Sequence, residues 1–296
     1  MSLKPTAAFV AISLIWGSMW LTQQTLSGSA DTLHLWAIVY GLCAATLAVI
    51  GFVFRLPLPI GKECVTSAVL GVSLIALPLL FTVWSATQLS FGLVAIIVAT
   101  TPLVTGFLCD ISWSARNAAI AGLGGVVLVV ADIVSPTFAV LPWALLVFAG
   151  VAATSGSLVI AKRRLPKSHP VYIAAIQLAV ASVILGLVYF VKPAQTAPEI
   201  LHEHLPRVLI LCVTAGNAIS YPLYFWLLQR IRPDQLASTV WAQLLVSVGE
   251  GVFLLRPHVG WRIFLGAAIV IASLIALSRS QLESNLLTVK VTVLPR

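Results

Sequence analysis

Charge is what this chain has least of. Only 9% of its 296 residues are Asp, Glu, Lys or Arg, 60% are hydrophobic, and the mean hydropathy is +1.05. A soluble domain carries about a quarter charged residues, so a water-solvated globule is excluded. Cysteine is scarce as well. Cys43, Cys64, Cys109 and Cys212 are scattered without paired spacing, which suggests neither a disulfide framework nor a metal site. No GxxxxGK[ST] loop occurs, nor any soluble domain large enough to hold one, so nucleotide hydrolysis by the chain itself is not expected. No cofactor is implied.

What the chain has instead is long apolar runs. They recur at about 20 residues, the length a helix needs to cross a hydrocarbon core of about 30 Å. Ten such spans are expected, over residues 6–26, 33–54, 64–86, 91–109, 116–134, 138–161, 170–191, 205–228, 235–255 and 261–278. The runs are about twice too long for barrel strands and lack strand alternation, which leaves helices to satisfy the backbone in lipid. The fold class is therefore an all-α integral membrane protein.

Orientation follows from the 17 basic residues. All but Lys192, Arg207, Arg256 and Arg262 fall on one side once the spans are drawn, which places both termini in the cytoplasm. The net charge of +8 is mostly this topology signal. The run Lys162-Arg163-Arg164-Leu165-Pro166-Lys167 reads as a cytoplasmic loop, and no nucleic-acid partner is expected. A signal-peptide reading, with cleavage near Gly28-Ser29-Ala30, competes at the N-terminus; Trp16-Gly17-Ser18-Met19-Trp20 and Gln23-Gln24 interrupt the apolar core it would need.

The chain also repeats itself weakly. At an offset of 142, Trp84 falls on Trp226, Leu89 on Ile231, Ala95 on Ala237, Val98 on Val240 and Val104 on Val246. Gly17-Ser18 falls on Gly156-Ser157, and Pro78-Leu79-Leu80-Phe81 resembles Pro222-Leu223-Tyr224-Phe225. Five spans per half force the halves into opposite orientation, so the expected organisation is two inverted five-helix repeats, residues 1–134 and 138–280, with a cytoplasmic tail at 281–296. Two such halves can rock about an axis in the membrane plane and expose a midplane site to each side in turn. The matched prolines, which remove amide donors, mark where that site is expected.

Several short stretches resemble one family. Trp16-Gly17-Ser18, the segment "ATQLSFGLVAIIVATTP" from Ala86 to Pro102, "GLGGVVLVV" from Gly122 to Val130, "IAKRRL" from Ile160 to Leu165, Gln177, and "GAAI" from Gly266 to Ile269 together resemble the drug/metabolite transporter superfamily, EamA type. The resemblance covers the chain to about residue 280 and implies a ten-helix permease. The chain departs from the family pattern at Tyr40-Gly41, where an arginine and an aromatic are usual. It departs again at Asp110 and at Arg256-Pro257, near the places of a closing Gly-Glu.

Polar residues at membrane depth supply the candidate site. Glu250 lies about 16 residues into its span, about 24 Å along a helix; a carboxylate there needs a wet cavity, a partner or a proton. It is the candidate for proton or cation coupling. Gln243 lies two turns away on the same face. Candidates for the substrate cavity are Trp16, Ser18, Trp84, Gln177, Asn217, Tyr221, Tyr224, Trp241 and Gln243, with hydroxyls and amides to bond a small polar solute and tryptophans to hold its apolar part. For Gln177 and Asn217, interhelical bonding is the alternative; Gly17-Ser18 and Gly156-Ser157 read first as small residues that let helices approach closely. Asp110 and Asp132 read as interfacial, and His202, His204, Glu199 and Glu203 as a solvated outer loop.

The expected function is secondary-active transport in the cell or inner membrane, by resemblance export of an amino acid or a derivative, with protons as coupling partners and a monomer or homodimer as the working unit. A multidrug or cation exporter is the alternative, although small relatives in the superfamily use a first-helix glutamate that this chain lacks. An embedded enzyme would need paired carboxylates or metal-spaced ligands, and a receptor or scaffold would leave the repeat without a use.

Overall fold

The computed structural model describes residues 3–27, 32–86, 88–109, 111–130, 141–191, 204–255 and 261–293. All regular elements among them are helical. They are α1 (Leu3–Ser27), α2 (Thr32–Val53), α3 (Lys62–Leu70), a π-helical stretch (Gly71–Ala76), α4 (Leu77–Ser85), α5 (Phe91–Val98), α6 (Thr101–Leu108), α7 (Trp113–Val130), α8 (Leu141–Arg164), α9 (Pro170–Val191), α10 (His204–Leu228), α11 (Pro233–Ala237), α12 (Thr239–Leu255) and α13 (Trp261–Val293). Among the described residues six segments are long and apolar enough to cross a membrane: Thr32–Val53, Lys62–Ser85, Leu141–Arg164, Pro170–Val191, Val208–Leu228 and Pro233–Phe253. Three shorter apolar helices, Gly92–Leu108, Trp113–Val129 and Trp261–Leu277, accompany them.

The outside of this bundle is apolar. Phe52, Phe190 and Phe253 are 79–81% exposed, a surface that would aggregate in water and that lipid solvates. With apolar residues on both sides of each helix, burial alone cannot hold the bundle together, and small residues and hydrogen bonds set the contacts. At the α7–α13 crossing a Cβ added to Gly125 would lie 2.8 Å from the Gly266 carbonyl oxygen, and one on Gly266 2.5 Å from that of Gly125. Only glycine lets these two backbones meet.

The contacts come in pairs. α2 packs on α9, and α7 on α13. α1 lies against α12 and α10, while α8 lies against α5, α6 and α4. α10 touches α2, and the π-helical stretch touches α9. If the five spans of the first half are matched in order to those of the second, each contact is either its own image or the image of another.

Three of the expected spans are not continuous α-helices. In the third, Pro78 has no N–H to offer, and the turn before it widens so that the Leu77 N–H reaches the Val72 carbonyl, five residues back. The fourth breaks between α5 and α6, and the ninth between α11 and α12. Both breaks are stitched alike. Thr100 and Thr101 hydroxyls donate to the Ile97 and Val98 carbonyls at 2.6 and 2.5 Å, and Ser238 and Thr239 donate to Gln235 and Leu236 at 2.7 and 2.8 Å. Hydroxyls one turn on thus take up carbonyls that the helix has released.

The two breaks also clasp one another: the indole N–H of Trp241, a fully buried side chain, donates to the Ala99 carbonyl at 2.8 Å. The sequence reading placed the weak points at Pro78 and Pro222, and this holds at one of the two. Pro222 lies inside α10 and does not interrupt it. In the second half the interruption is in the ninth span, where Ser238-Thr239 and not a proline releases the ladder. α13 also runs on as far as Val293, through most of the stretch expected as a tail.

Candidate functional site

A cavity of about 420 Å³ lies where α3–α4, α5–α6, α8, α10 and α11–α12 converge, with Trp16 from α1 and Tyr40 from α2 completing it. The π-helical turn supplies Leu74 and Ile75, and Pro78 and Leu79 follow them. Val98 and Thr101 bracket one helix break on its wall; Ala237 and Val240 bracket the other. Interrupted helices are therefore found where the cavity is, as expected for irregular backbone at membrane depth.

One wall is aromatic. The Trp16 ring stands 5.3 Å from Tyr221, edge to face, and 5.2 Å from Tyr224. Tyr40 closes the row, 6.1 Å from Tyr221 and at right angles to it, and the Tyr221 hydroxyl donates to the Tyr40 hydroxyl at 3.4 Å. Facing this wall are aliphatic side chains such as Val94, Val147 and Val151, interspersed with Thr82, Thr154, Gln243 and Ser247. Every described lining residue is uncharged.

Beyond Ser247 the cavity wall becomes a seam between α1 and α12. A Cβ on Gly17 would lie 2.6 Å from the Val246 Cβ and 2.9 Å from the Gln243 carbonyl oxygen, so glycine alone permits the approach. The Ser247 hydroxyl donates to the Gly17 carbonyl at 2.9 Å, and the Ser18 hydroxyl donates to a carboxylate oxygen of Glu250. Gln243, Ser247 and Glu250 share one face of α12 at helical spacing. The repeat-related pair on α8 is different: a Cβ on Gly156 would meet nothing within 4 Å, and Ser157 shares a 2.7 Å hydrogen bond with Ser73 of the π-helical stretch. Gly156 therefore does not make the close approach expected of it.

Of the residues singled out from sequence, Trp16, Tyr221, Tyr224 and Gln243 line the cavity together. Ser18 and Glu250 meet on the adjoining seam. Trp84 and Trp241, expected to hold a solute, line nothing there. Trp84 is 39% exposed beside Phe81, and Trp241 is the clasp between the breaks, its ring filling the space over Gly122. Asn217 is buried, its amide donating to the Val213 carbonyl one turn back in α10 itself at 2.9 Å, and not to another helix as weighed for it. Gln177 is fully buried at the α9 face on which Gly71 packs, with neither amide atom bonded. Trp20's side chain, Asp110, Asp132, Glu199, His202 and Glu203 lie outside the described residues, as does the side chain of His204.

Sequence reasoning missed Tyr40, Thr82, Thr101, Thr154 and Ser247. Tyr40 was noticed only as a departure from the family pattern, and the Thr100-Thr101-Pro102 run was the available sign of a break.

Residues 141–279 match the model of the EamA-like transporter family. No curated protein matches the chain. Among solved structures 29 chains match; one, a crystal structure, superposes with a TM-score of 0.76 at 17% identity, covering 93% of this chain and 96% of its own. At that identity the likeness is one of fold.

Proposed function

We propose that the chain, whose residues 141–279 match the EamA-like transporter family, is a membrane transporter of that family and a secondary-active exporter. Its substrate is a small metabolite, an amino acid or derivative, moved across the cell or inner membrane. Ten crossings form two inverted five-helix repeats with both termini in the cytoplasm, and the halves alternate around the cavity.

The observation that carries this reading is the cavity's position: it is walled by both halves and bracketed by both broken helices. The paired helix contacts support the inverted repeat, since a chain of two like halves makes each interface twice. The α1–α12 seam is closed at Gly17 while the related position on α8, Gly156, has room around it. That inequality is what one extreme of a rocking cycle requires, with the other extreme exchanging the two seams.

Glu250 is the proposed proton carrier. It is the carboxylate on the cavity-facing side of α12, and Ser18 holds it from across the seam. With a proton aboard, the carboxyl no longer draws the Ser18 hydroxyl as an anion does, so protonation loosens the seam that separates the two halves.

The test is uptake into proteoliposomes of labelled amino acids and their derivatives, with and without an imposed proton gradient. Accumulation that needs the gradient and is lost in Glu250→Gln supports the reading. Gradient-driven accumulation unchanged in Glu250→Gln removes Glu250 from the mechanism, and no transport by folded protein of any solute overturns the carrier itself.

A further inference from the structure

We propose that one corner of the bundle, where the α2–α3 and α8–α9 loops meet, is a docking site for an anionic phospholipid. Arg55, Lys62, Arg164 and Lys167 receive its phosphate and headgroup, and Phe54, Leu58 and Ile60 lie against its acyl chains. The site is separate from the cavity and does not depend on the transport reading.

Arg55 stands where glycine is the unstrained residue. Helix α2 ends in a closed turn, in which the Leu56 N–H donates to the Gly51 carbonyl at 2.9 Å and the Arg55 N–H to the Phe52 carbonyl at 3.1 Å. That pattern puts one residue in the left-handed region, which glycine enters without a steric penalty. Here it is Arg55, at φ 51°, the one non-glycine residue of positive φ among those described. An exposed arginine kept where its own backbone is strained points to a use for the guanidinium. A cation needed only to orient the chain could stand a position or two away without that strain.

Packing brings further cations to the same corner. A Cβ on Gly51 would lie 2.6 Å from the Tyr172 Cζ, so α2 ends against the start of α9. The Ser168 hydroxyl, in the α8–α9 loop, donates to the Glu63 carboxylate at 2.7 Å, at the start of α3. Arg55, Lys62, Arg163, Arg164 and Lys167 are all exposed on these chain ends, and the carboxylate described among them, Glu63, is held by Ser168. Between Arg55 and Lys62 the loop is apolar. Leu58 and Ile60 are 63% and 83% exposed, and Phe54, just before Arg55, 71%. A soluble anion has no use for such a loop, and water disfavours it. A lipid answers both features: each cation near an anionic headgroup layer adds about fivefold in attraction, the arginine fork matches a phosphate, and the apolar side chains reach the acyl boundary.

The experiment titrates the full-length protein in detergent with phosphatidylglycerol, phosphatidylcholine or inorganic phosphate. Retained lipids are counted by native mass spectrometry and the thermal midpoint is followed. Phosphatidylglycerol is expected to be retained at least tenfold more tightly than phosphatidylcholine and to raise the midpoint, while inorganic phosphate moves nothing. Arg55→Gly combined with Lys62→Gln weakens that retention by tenfold or more. Arg116→Gln combined with Arg230→Gln removes the same charge from guanidinium groups lying over Trp113 and Trp226, outside the corner, and leaves retention unchanged. Without lipid, Arg55→Gly alone raises the midpoint, because glycine relieves the turn. Where the first double variant does not fold, Arg55→Gly carries the test by itself, with a loss of about fivefold expected.

Equal retention of the two phospholipids overturns the proposal, and so does an equal loss in both double variants, which would reduce the corner to bulk charge. A midpoint rise with inorganic phosphate that matches phosphatidylglycerol would make the ligand a free anion and sink the lipid. A lower lipid-free midpoint in Arg55→Gly removes the strain that singles out Arg55. A dimer that holds no lipid and parts in the first double variant would assign the corner to a second copy of the chain instead.

Discussion

Replacing Gly17 by alanine tests the alternating seam most directly. The added Cβ would sit 2.6 and 2.7 Å from Val246 Cβ and Cγ1 and 2.9 Å from the Gln243 carbonyl oxygen, about 1 Å inside ordinary carbon contact. None of these neighbours is the end of a flexible chain, so α1 and α12 must separate. Overpacking of this kind costs about 1–3 kcal/mol. Separation also stretches the Ser247–Gly17 and Ser18–Glu250 hydrogen bonds, each worth about 0.6 kcal/mol in a membrane. Together these make about 2–4 kcal/mol against the closed seam. If the cycle has a state in which this seam is open, the same substitution shifts the population toward that state by roughly 30-fold or more, since each 1.4 kcal/mol is tenfold. Gly156→Ala is the control, because its Cβ enters open space and costs nothing in the seam as it stands.

The assay is paired: thermal unfolding of both variants in nanodiscs, and labelling of a cysteine introduced at Ser247 by a membrane-impermeant thiol reagent, with the four native cysteines replaced. Gly17→Ala is expected to lower the unfolding midpoint and to raise labelling at position 247, while Gly156→Ala, open here but crowded where the seams exchange, leaves the midpoint unmoved and does not raise labelling. The labelling comparison separates a population shift from simple loss of stability. Identical behaviour of the two variants would refute the reasoning, and so would a Gly17→Ala protein with wild-type stability and labelling.

Three further outcomes are expected. Ser18→Ala keeps the Glu250 carboxyl but removes its hydrogen-bond donor across the α1–α12 seam, and labelling of the cysteine at position 247 is expected to rise as the seam loosens; unchanged labelling would separate this bond from closure of the seam. Trp241→Phe leaves the Ala99 carbonyl without its indole donor in a fully buried site; a loss of about 1–3 kcal/mol is expected, read by unfolding of purified protein, and a wild-type midpoint would refute the clasp. Gly125→Leu places a side chain against the Gly266 carbonyl oxygen, and α7 and α13 can no longer pack; folded protein recovered from membranes is expected to fall several-fold, whereas Gly124→Leu, whose Cβ meets nothing within 4 Å, is recovered normally.

The amino-acid sequence by itself determined the solvent, the helical class and the places of the helices, because hydropathy summed over about 20 residues is a local property that lipid reads directly. It pointed to Trp16, Tyr221, Tyr224 and Gln243 as well, since an aromatic or amide at membrane depth is conspicuous where leucine would be expected. What it could not decide was which polar side chain faces which. Trp241 and Trp84 were as conspicuous as Trp16, yet one clasps two helix breaks and the other stands at the bundle's edge. Gly17 and Gly156 carry the same dipeptide, and only one is pressed against its neighbour. Ser18 and Glu250, 232 residues apart, meet through the crossing of α1 and α12. A cavity and a seam are made by convergence of segments distant in the chain, and their asymmetry is a property of one conformation, so tertiary structure alone decides both.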